Sequence, residues 1–315
     1  MRAGEEAQAW LLGFSGVAIF SLSLPMTRLA VAELPPIFVG PGRAVVAAFP
    51  AAILLWLTRQ RWPRGREWLG LAVVSLGVVL GFPLLSAWAM QRVEASHGAV
   101  VLGILPLATA VFGALLAAER PSPGFWLVAA VGSTLVVIFA LDDAGTLAWA
   151  DLALLAAVFS AGLGYAEGAR LSRALGGWQV ISWALVLAAP FLAVPVGLAV
   201  PDVDWGALSW RTWAAFAYVS LFAQYIGFFA WYRGLALGGI AKIGQVQLLQ
   251  AFLTIGFAAL LNGEAIGWRT IVFAVAVVGC VAIGRRQKVR RLTSPLPNAG
   301  EGGERAQRAR GEGGR

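Results

Sequence analysis

The chain is poor in almost everything from which soluble proteins and metal enzymes are built. Only 13% of its 315 residues are charged, where a soluble domain carries about 25%. A water-facing globular surface is therefore excluded. There is one cysteine, Cys280, and one histidine, His97, so no disulfide can form within the chain and no Cys- or His-rich metal or redox centre has its ligands. Lysine occurs only at Lys242 and Lys288, and neither follows the glycine spacing of a nucleotide-binding P-loop. Asp142, Asp143, Asp151, Asp202 and Asp204 fall at the expected ends of apolar runs, not as a pair within one. With no catalytic constellation in view, no enzyme, no cofactor and no metal are expected.

Hydrophobic residues are abundant instead, at 59%. Apolar runs of about 20 residues recur along the whole chain, each long enough to cross a hydrocarbon core of ~30 Å. These are the marks of an all-α polytopic membrane protein; a β-barrel would show short alternating segments. The net charge of +8 is spread over short loops and a tail, as membrane orientation requires. The lipid bilayer, not nucleic acid, is the expected surround. Ala30-Val31-Ala32 mimics a signal-peptidase site, but Glu5 and Glu6 occupy the place of a basic leader and Arg28 precedes the cut. The first run therefore reads as a retained span.

Ten spans are expected, near 9–31, 37–57, 68–90, 97–118, 124–141, 151–171, 178–200, 211–233, 240–261 and 268–284. If they alternate, Arg59, Arg61, Arg64, Arg66, Arg170, Arg173, Arg233 and the cluster from Arg285 to Arg291 all lie on one side. The other side receives Glu33 and the loop aspartates. Both termini are then cytoplasmic in a multi-pass protein of the inner (plasma) membrane.

The stretch from His97 to Arg120 is repeated from Lys242 to Ala265 without a gap: Val101 meets Val246, Thr109 meets Thr254, Phe112 meets Phe257 and Glu119 meets Glu264. Phe20-Ser21 likewise matches Phe159-Ser160, and Val74-Ser75-Leu76 matches Val219-Ser220-Leu221. The chain divides into a first repeat (1–145), a second (146–284) and a polar, basic tail (285–315) expected to be disordered. Five spans per repeat is an odd number, so ten transmembrane helices would form two inverted five-helix repeats, an arrangement found in secondary transporters.

With Pro36 and Arg43 in span two, Pro106 and the Glu119-Arg120 ending of span four, the run from Trp231 to Ala236 closing span eight, and Gly263-Glu264 closing span nine, the chain resembles the EamA-domain transporters of the drug/metabolite transporter superfamily. The resemblance covers residues 8 to 285 and implies their ten-helix, two-repeat fold. It also implies helices like span nine lining a central cavity, and export of amino acids or related small metabolites. Ala251 departs from it, standing where a proline is frequent in that family.

Ionisable side chains inside spans face protein or water, not lipid. Arg43 could meet a substrate carboxylate or snorkel to the outer headgroups with Glu33, and the same two readings apply to Arg28. Glu167 could carry a proton after desolvation or pair with Arg170. His97 could titrate near neutrality or sit at the interface. Protons are thus a candidate coupling ion. Gln245, Gln247 and Gln250 in span nine need interhelical partners or a wet cavity. Gln224, Tyr225 and Trp231 could add polar contacts and an aromatic wall, while Tyr232 fits an interfacial aromatic belt. The function expected is a secondary transporter exporting a small-molecule metabolite by alternating access, as a monomer or homodimer. Multidrug or cation efflux, and a non-transporting membrane sensor or assembly protein, are the alternatives.

Overall fold

The computed structural model describes residues 3–117, 119–140, 148–285 and 289–291. Among them, ten helical segments follow one another. Eight are long and apolar enough to cross a membrane: α1 (Gly4–Val31), α2 (Pro36–Leu57), α3 (Arg66–Met90), α4 (Ala95–Ala117), α6 (Trp149–Leu175), α7 (Gly177–Asp202), α8 (Trp210–Gly238) and α9 (Ile240–Asn262). The other two are α5 (Pro123–Ala140) and α10 (Trp268–Arg285). The expected spans coincide with these to within a few residues, α1 and α8 running somewhat longer. Three residues after α4, β1 (Glu119–Pro121), pair antiparallel with three after α10, β2 (Val289–Arg291). The rest of the tail, expected to be disordered, lies outside the described residues, as do Asp142 and Asp143.

The helix pairings repeat when the halves are exchanged. Helix α2 packs on α7, α5 on α10 and α4 on α9, and each of these pairs maps onto itself. The pair α1–α8 maps onto α6–α3, and α4–α6 onto α9–α1. The bundle thus has an approximate two-fold relation between its halves. Glycine makes the closest crossings: a Cβ on Gly16 of α1 would lie 2.9 Å from the Trp231 Cβ of α8, and one on Gly77 of α3 would lie 2.7 Å from the Ser160 carbonyl of α6. Small residues are the usual device for close approach in lipid.

Regular α-helix breaks at corresponding places. Helix α3 widens to a π-helix over Ser75–Gly81, and α8 does so over Tyr218–Ile226. Helices α4 and α9 tighten to 3-10 turns at Leu102–Ile104 and Gly244–Val246. In α1 the break falls at Leu22, between helical stretches Ala3–Ser21 and Ser23–Val31. Pro25 has no N–H for the Ser21 carbonyl four residues earlier. The Thr254 hydroxyl of α9 donates to that carbonyl instead, at 2.8 Å. Irregular backbone is tolerated at membrane depth where neighbouring helices supply such partners.

Large apolar side chains cover the outside: Phe49, Trp56, Phe191, Leu198 and Leu260 are all more than 70% exposed. In water such a surface would aggregate; here it meets acyl chains. Tyr232, expected at an interface, lies inside, beside Trp231. Trp231 and Tyr232 are fully buried, and the Tyr232 hydroxyl donates to the Gly164 carbonyl at 3.1 Å. The reason is local. Gly168 of α6 has no Cβ, and one built there would lie 2.2 Å from the Tyr232 ring. The glycine leaves the slot that the phenol fills.

Candidate functional site

Arg43 lies on the stretch Gly40-Pro41-Gly42-Arg43 of α2 and is 2% exposed. A Cβ on Gly40 would stand 2.8 Å from the Leu84 Cα, so glycine lets α2 press against α3 and sets the guanidinium 5.8 Å from the centroid of the Phe82 ring. From α8, Gln224 accepts a hydrogen bond from Arg43 Nε at 2.8 Å and donates through Nε2 to the Val78 carbonyl of α3 at 3.0 Å. Gln224 and Val78 both belong to the π-helical segments. Widened turns frequently mark functional sites, and here the two are stitched together around one cation.

That cation borders a narrow cavity of about 10 Å³, room for about one water molecule, lined by the rings of Phe20, Phe82, Tyr165 and Phe228 and by Ser23 and Gln250. Six helices contribute: α1, α2, α3, α6, α8 and α9. Arg43 is the one formal charge among the lining residues. Two buried polar atoms there have no partner among the described residues, Arg43 Nη1 and Gln250 Oε1. Among those residues no carboxylate pairs with Arg43 either. An uncompensated buried charge costs several kcal/mol, and an orphaned donor adds about 1–3. The arrangement therefore offers a donor to an anionic oxygen at Arg43 and an acceptor to a donor at Gln250, and the rings between them must part to admit anything larger than a water.

Of the residues singled out from the sequence, the structure gathers Arg43, Gln224 and Gln250. Tyr225 points instead to Ser182 of α7, hydroxyl to hydroxyl at 2.9 Å. Trp231 sits behind the cavity wall, its ring 5.4 Å from Tyr165 and 6.3 Å from Phe20. Gln247 accepts from Thr109 of α4 at 3.4 Å, and Gln245 turns back to the Ala241 carbonyl of its own helix. Tyr165, Phe20 and Phe228 were not among those residues. Tyr165 did carry a signal, being the lone phenol of α6, between Gly164 and Gly168.

The three charged residues considered for coupling are each in a separate pair. Glu167 accepts from Arg170 Nε and Nη2, at 2.8 and 2.6 Å, and is not among the residues lining the cavity. His97 Nε2 lies 2.6 Å from the buried carboxylate of Asp151. Arg28 departs from the expected pairing with Glu33: its Nε is 3.3 Å from Glu264, and it donates to the Met90 and Val93 carbonyls. Glu33 accepts from the Ser209 amide at the start of α8. Glu264, just beyond the end of α9, caps another helix. It accepts from the Ala95 and Ser96 amides at 2.8 Å each, where the N-terminus of α4 favours negative charge. Burial alone would raise the carboxyl of Glu264, but the Ser96 and Ala95 hydrogen bonds outweigh it and hold it below its ordinary value.

Comparison with known proteins agrees with this architecture. The EamA-like transporter family matches the chain twice, over residues 8–141 and 148–284. The chain belongs to that family. A Bacillus subtilis (strain 168) protein named as an uncharacterized transporter, YdeK, is 50% identical over 283 residues, covering 90% of this chain and 98% of its own length. A solved crystal structure superimposes with a TM-score of 0.65 over 88% of this chain and 96% of that one. At 20% identity it shows the shared fold alone. The chain is thus a multi-pass membrane protein of a transporter family, and the two family matches coincide with its two structural halves.

Proposed function

We propose that this EamA-family protein is a secondary transporter exporting amino acids or related small organic metabolites across the inner membrane by alternating access. The observation that carries the proposal is the unpartnered N–H of Arg43, buried beside a narrow cavity between the two related halves that widens when a substrate enters. A substrate carboxylate supplies the missing acceptor, an amino or hydroxyl group supplies a donor for Gln250, and the four rings take the apolar part. Cation efflux fits less well, because the one charge on the lining is positive.

In this reading all ten helices cross the membrane and both termini are cytoplasmic, so the halves are inverted. Contacts between chain ends support it. The Arg28–Glu264 and His97–Asp151 pairs tie together the ends of α1 and α9 and the starts of α4 and α6, which then share the outer side. Lys242 of α9 pairs with Glu6 of α1 at 2.5 Å, on the inner side. Alternating access requires one set to loosen while the other holds.

The test is metabolite profiling of cells and medium with wild type, Arg43→Ala and Gln250→Leu at equal membrane abundance. One metabolite class should accumulate outside wild-type cells and fail to do so in both variants. Export unchanged in Arg43→Ala would remove this cavity from the pathway, and no difference between wild type and empty vector would remove the exporter reading for the metabolites sampled.

A further inference from the structure

A second charged feature lies on the outside of the bundle, where α2 ends. Arg59 has φ 49°, and it is the one non-glycine residue with a positive φ among those described. The backbone explains the geometry. The Arg59 amide donates to the Trp56 carbonyl and the Gln60 amide to that of Leu55, the two hydrogen bonds of a Schellman termination, whose left-handed position is ordinarily glycine. Placing arginine there strains the backbone, and such strain clusters where a side chain serves a purpose.

The Arg59 side chain borders an open groove of about 550 Å³ between α2 and α7, with Ala52, Trp56, Trp62, Trp183 and Val186 among its walls. The groove is fixed at its polar end. Gln179 donates to Gln60 at 3.3 Å, and the Trp62 ring lies 4.9 Å from that of Trp183. Charge is one-sided there. Arg59, Arg61, Arg64 and Arg66 crowd a single turn, and its one acid, Glu67, has both oxygens occupied by Arg61 at 2.7 and 2.8 Å. Arg59, Arg64 and Arg66 form no ion pair among the described residues. Beyond the arginines the groove runs onto the apolar outer face, where Phe49 and Trp56 are more than 70% exposed.

An unpaired guanidinium at the polar end, tryptophans at the boundary and an apolar trough beyond them match one kind of occupant. We infer that the groove docks an anionic phospholipid, its phosphate on Arg59 and its acyl chains along Trp56, Ala52 and Val186. Arginine forks bind phosphate oxygens directly, and the tryptophan rings suit the glycerol level of the bilayer. A zwitterionic lipid would bring its own cation beside the three free arginines and bind less well.

The test uses delipidated full-length protein in neutral detergent, titrated with phosphatidylglycerol or phosphatidylcholine. Bound lipid is counted by native mass spectrometry and the unfolding midpoint is followed in parallel. Wild type should prefer phosphatidylglycerol, and Arg59→Gly should reduce that preference roughly fivefold. The same variant, without lipid, should unfold at or above the wild-type midpoint, because glycine accepts a positive φ freely. Arg92→Gln serves as the control. Arg92 stacks on Trp88 at 3.7 Å, beyond the opposite end of α3, and its loss should leave the preference intact. Equal preference in wild type and Arg59→Gly would overturn the assignment. So would an equal loss in Arg92→Gln, or a stabilisation by soluble glycerol 3-phosphate that matches the lipid's.

Discussion

Replacing Gln224 with leucine isolates what holds the cation of the cavity in place. Gln224 is fully buried and spends both ends of its amide, on Arg43 Nε and on the Val78 carbonyl. Its removal leaves a charged donor and a neutral acceptor unpaired in an apolar interior. A hydrogen bond to a charged group is worth about 1.5–3 kcal/mol and a neutral one about 1, so Gln224→Leu should cost about 2.5–4 kcal/mol. In an Arg43→Met background the charged donor is already gone, and the same change should cost only about 1 kcal/mol, for the Val78 carbonyl. The coupling between the two positions is then about 2 kcal/mol. It is measured by unfolding the four proteins of the cycle in mixed detergent micelles, with tryptophan fluorescence as the signal. Export should be lost in both single variants and in the double, although the double should be more stable than Gln224→Leu alone. An equal cost of Gln224→Leu in both backgrounds would refute the argument that Gln224 exists to hold Arg43.

Three further outcomes are expected. Thr254→Val should cost about 1 kcal/mol because the Ser21 carbonyl loses its donor, and the cost should vanish with Pro25→Ala, which restores a backbone N–H; the same unfolding assay checks both. Gly168→Ala should destabilise by about 1–3 kcal/mol through overlap with the Tyr232 ring, whereas Gly256→Ala, with nothing within 4 Å of the added Cβ, should stabilise α9 by roughly 0.5–1 kcal/mol. For Glu264, the lowered carboxyl value means that its ionised form stabilises the fold above the unfolded carboxylate pKa. That contribution fades as pH falls through the lowered native value, so Glu264→Gln should lower the unfolding midpoint at neutral pH and flatten its acid limb.

Three of the residues that build the cavity were readable from the chain, and the way they meet was not. Arg43, Gln224 and Gln250 stand out because a polar side chain in an apolar run must find protein or water. Tyr225, Gln245 and Gln247 stand out for the same reason, yet they turn to Ser182, the Ala241 carbonyl and Thr109. Polarity in a span says that a partner exists, without saying which. Arg28 shows the same limit. Its charge was evident, but its partner Glu264 lies at the end of α9, reached only once α1 and α9 pack.

The sequence by itself determined the membrane class, where the helices lie and that the chain carries an internal repeat. Those properties depend on the count and order of apolar residues against a fixed bilayer thickness and on direct repetition, and both are local in the chain. Only the tertiary structure decided that Arg43 and Gln224, 181 residues apart, share one hydrogen bond, and that Tyr232 is buried. Only it decided that a hydrogen bond from Gln224 to the Val78 carbonyl joins two π-helical turns beside the cavity. Such contacts depend on the rotation and close approach of each helix, set by where glycine permits crossing and where freed carbonyls find donors on neighbouring helices.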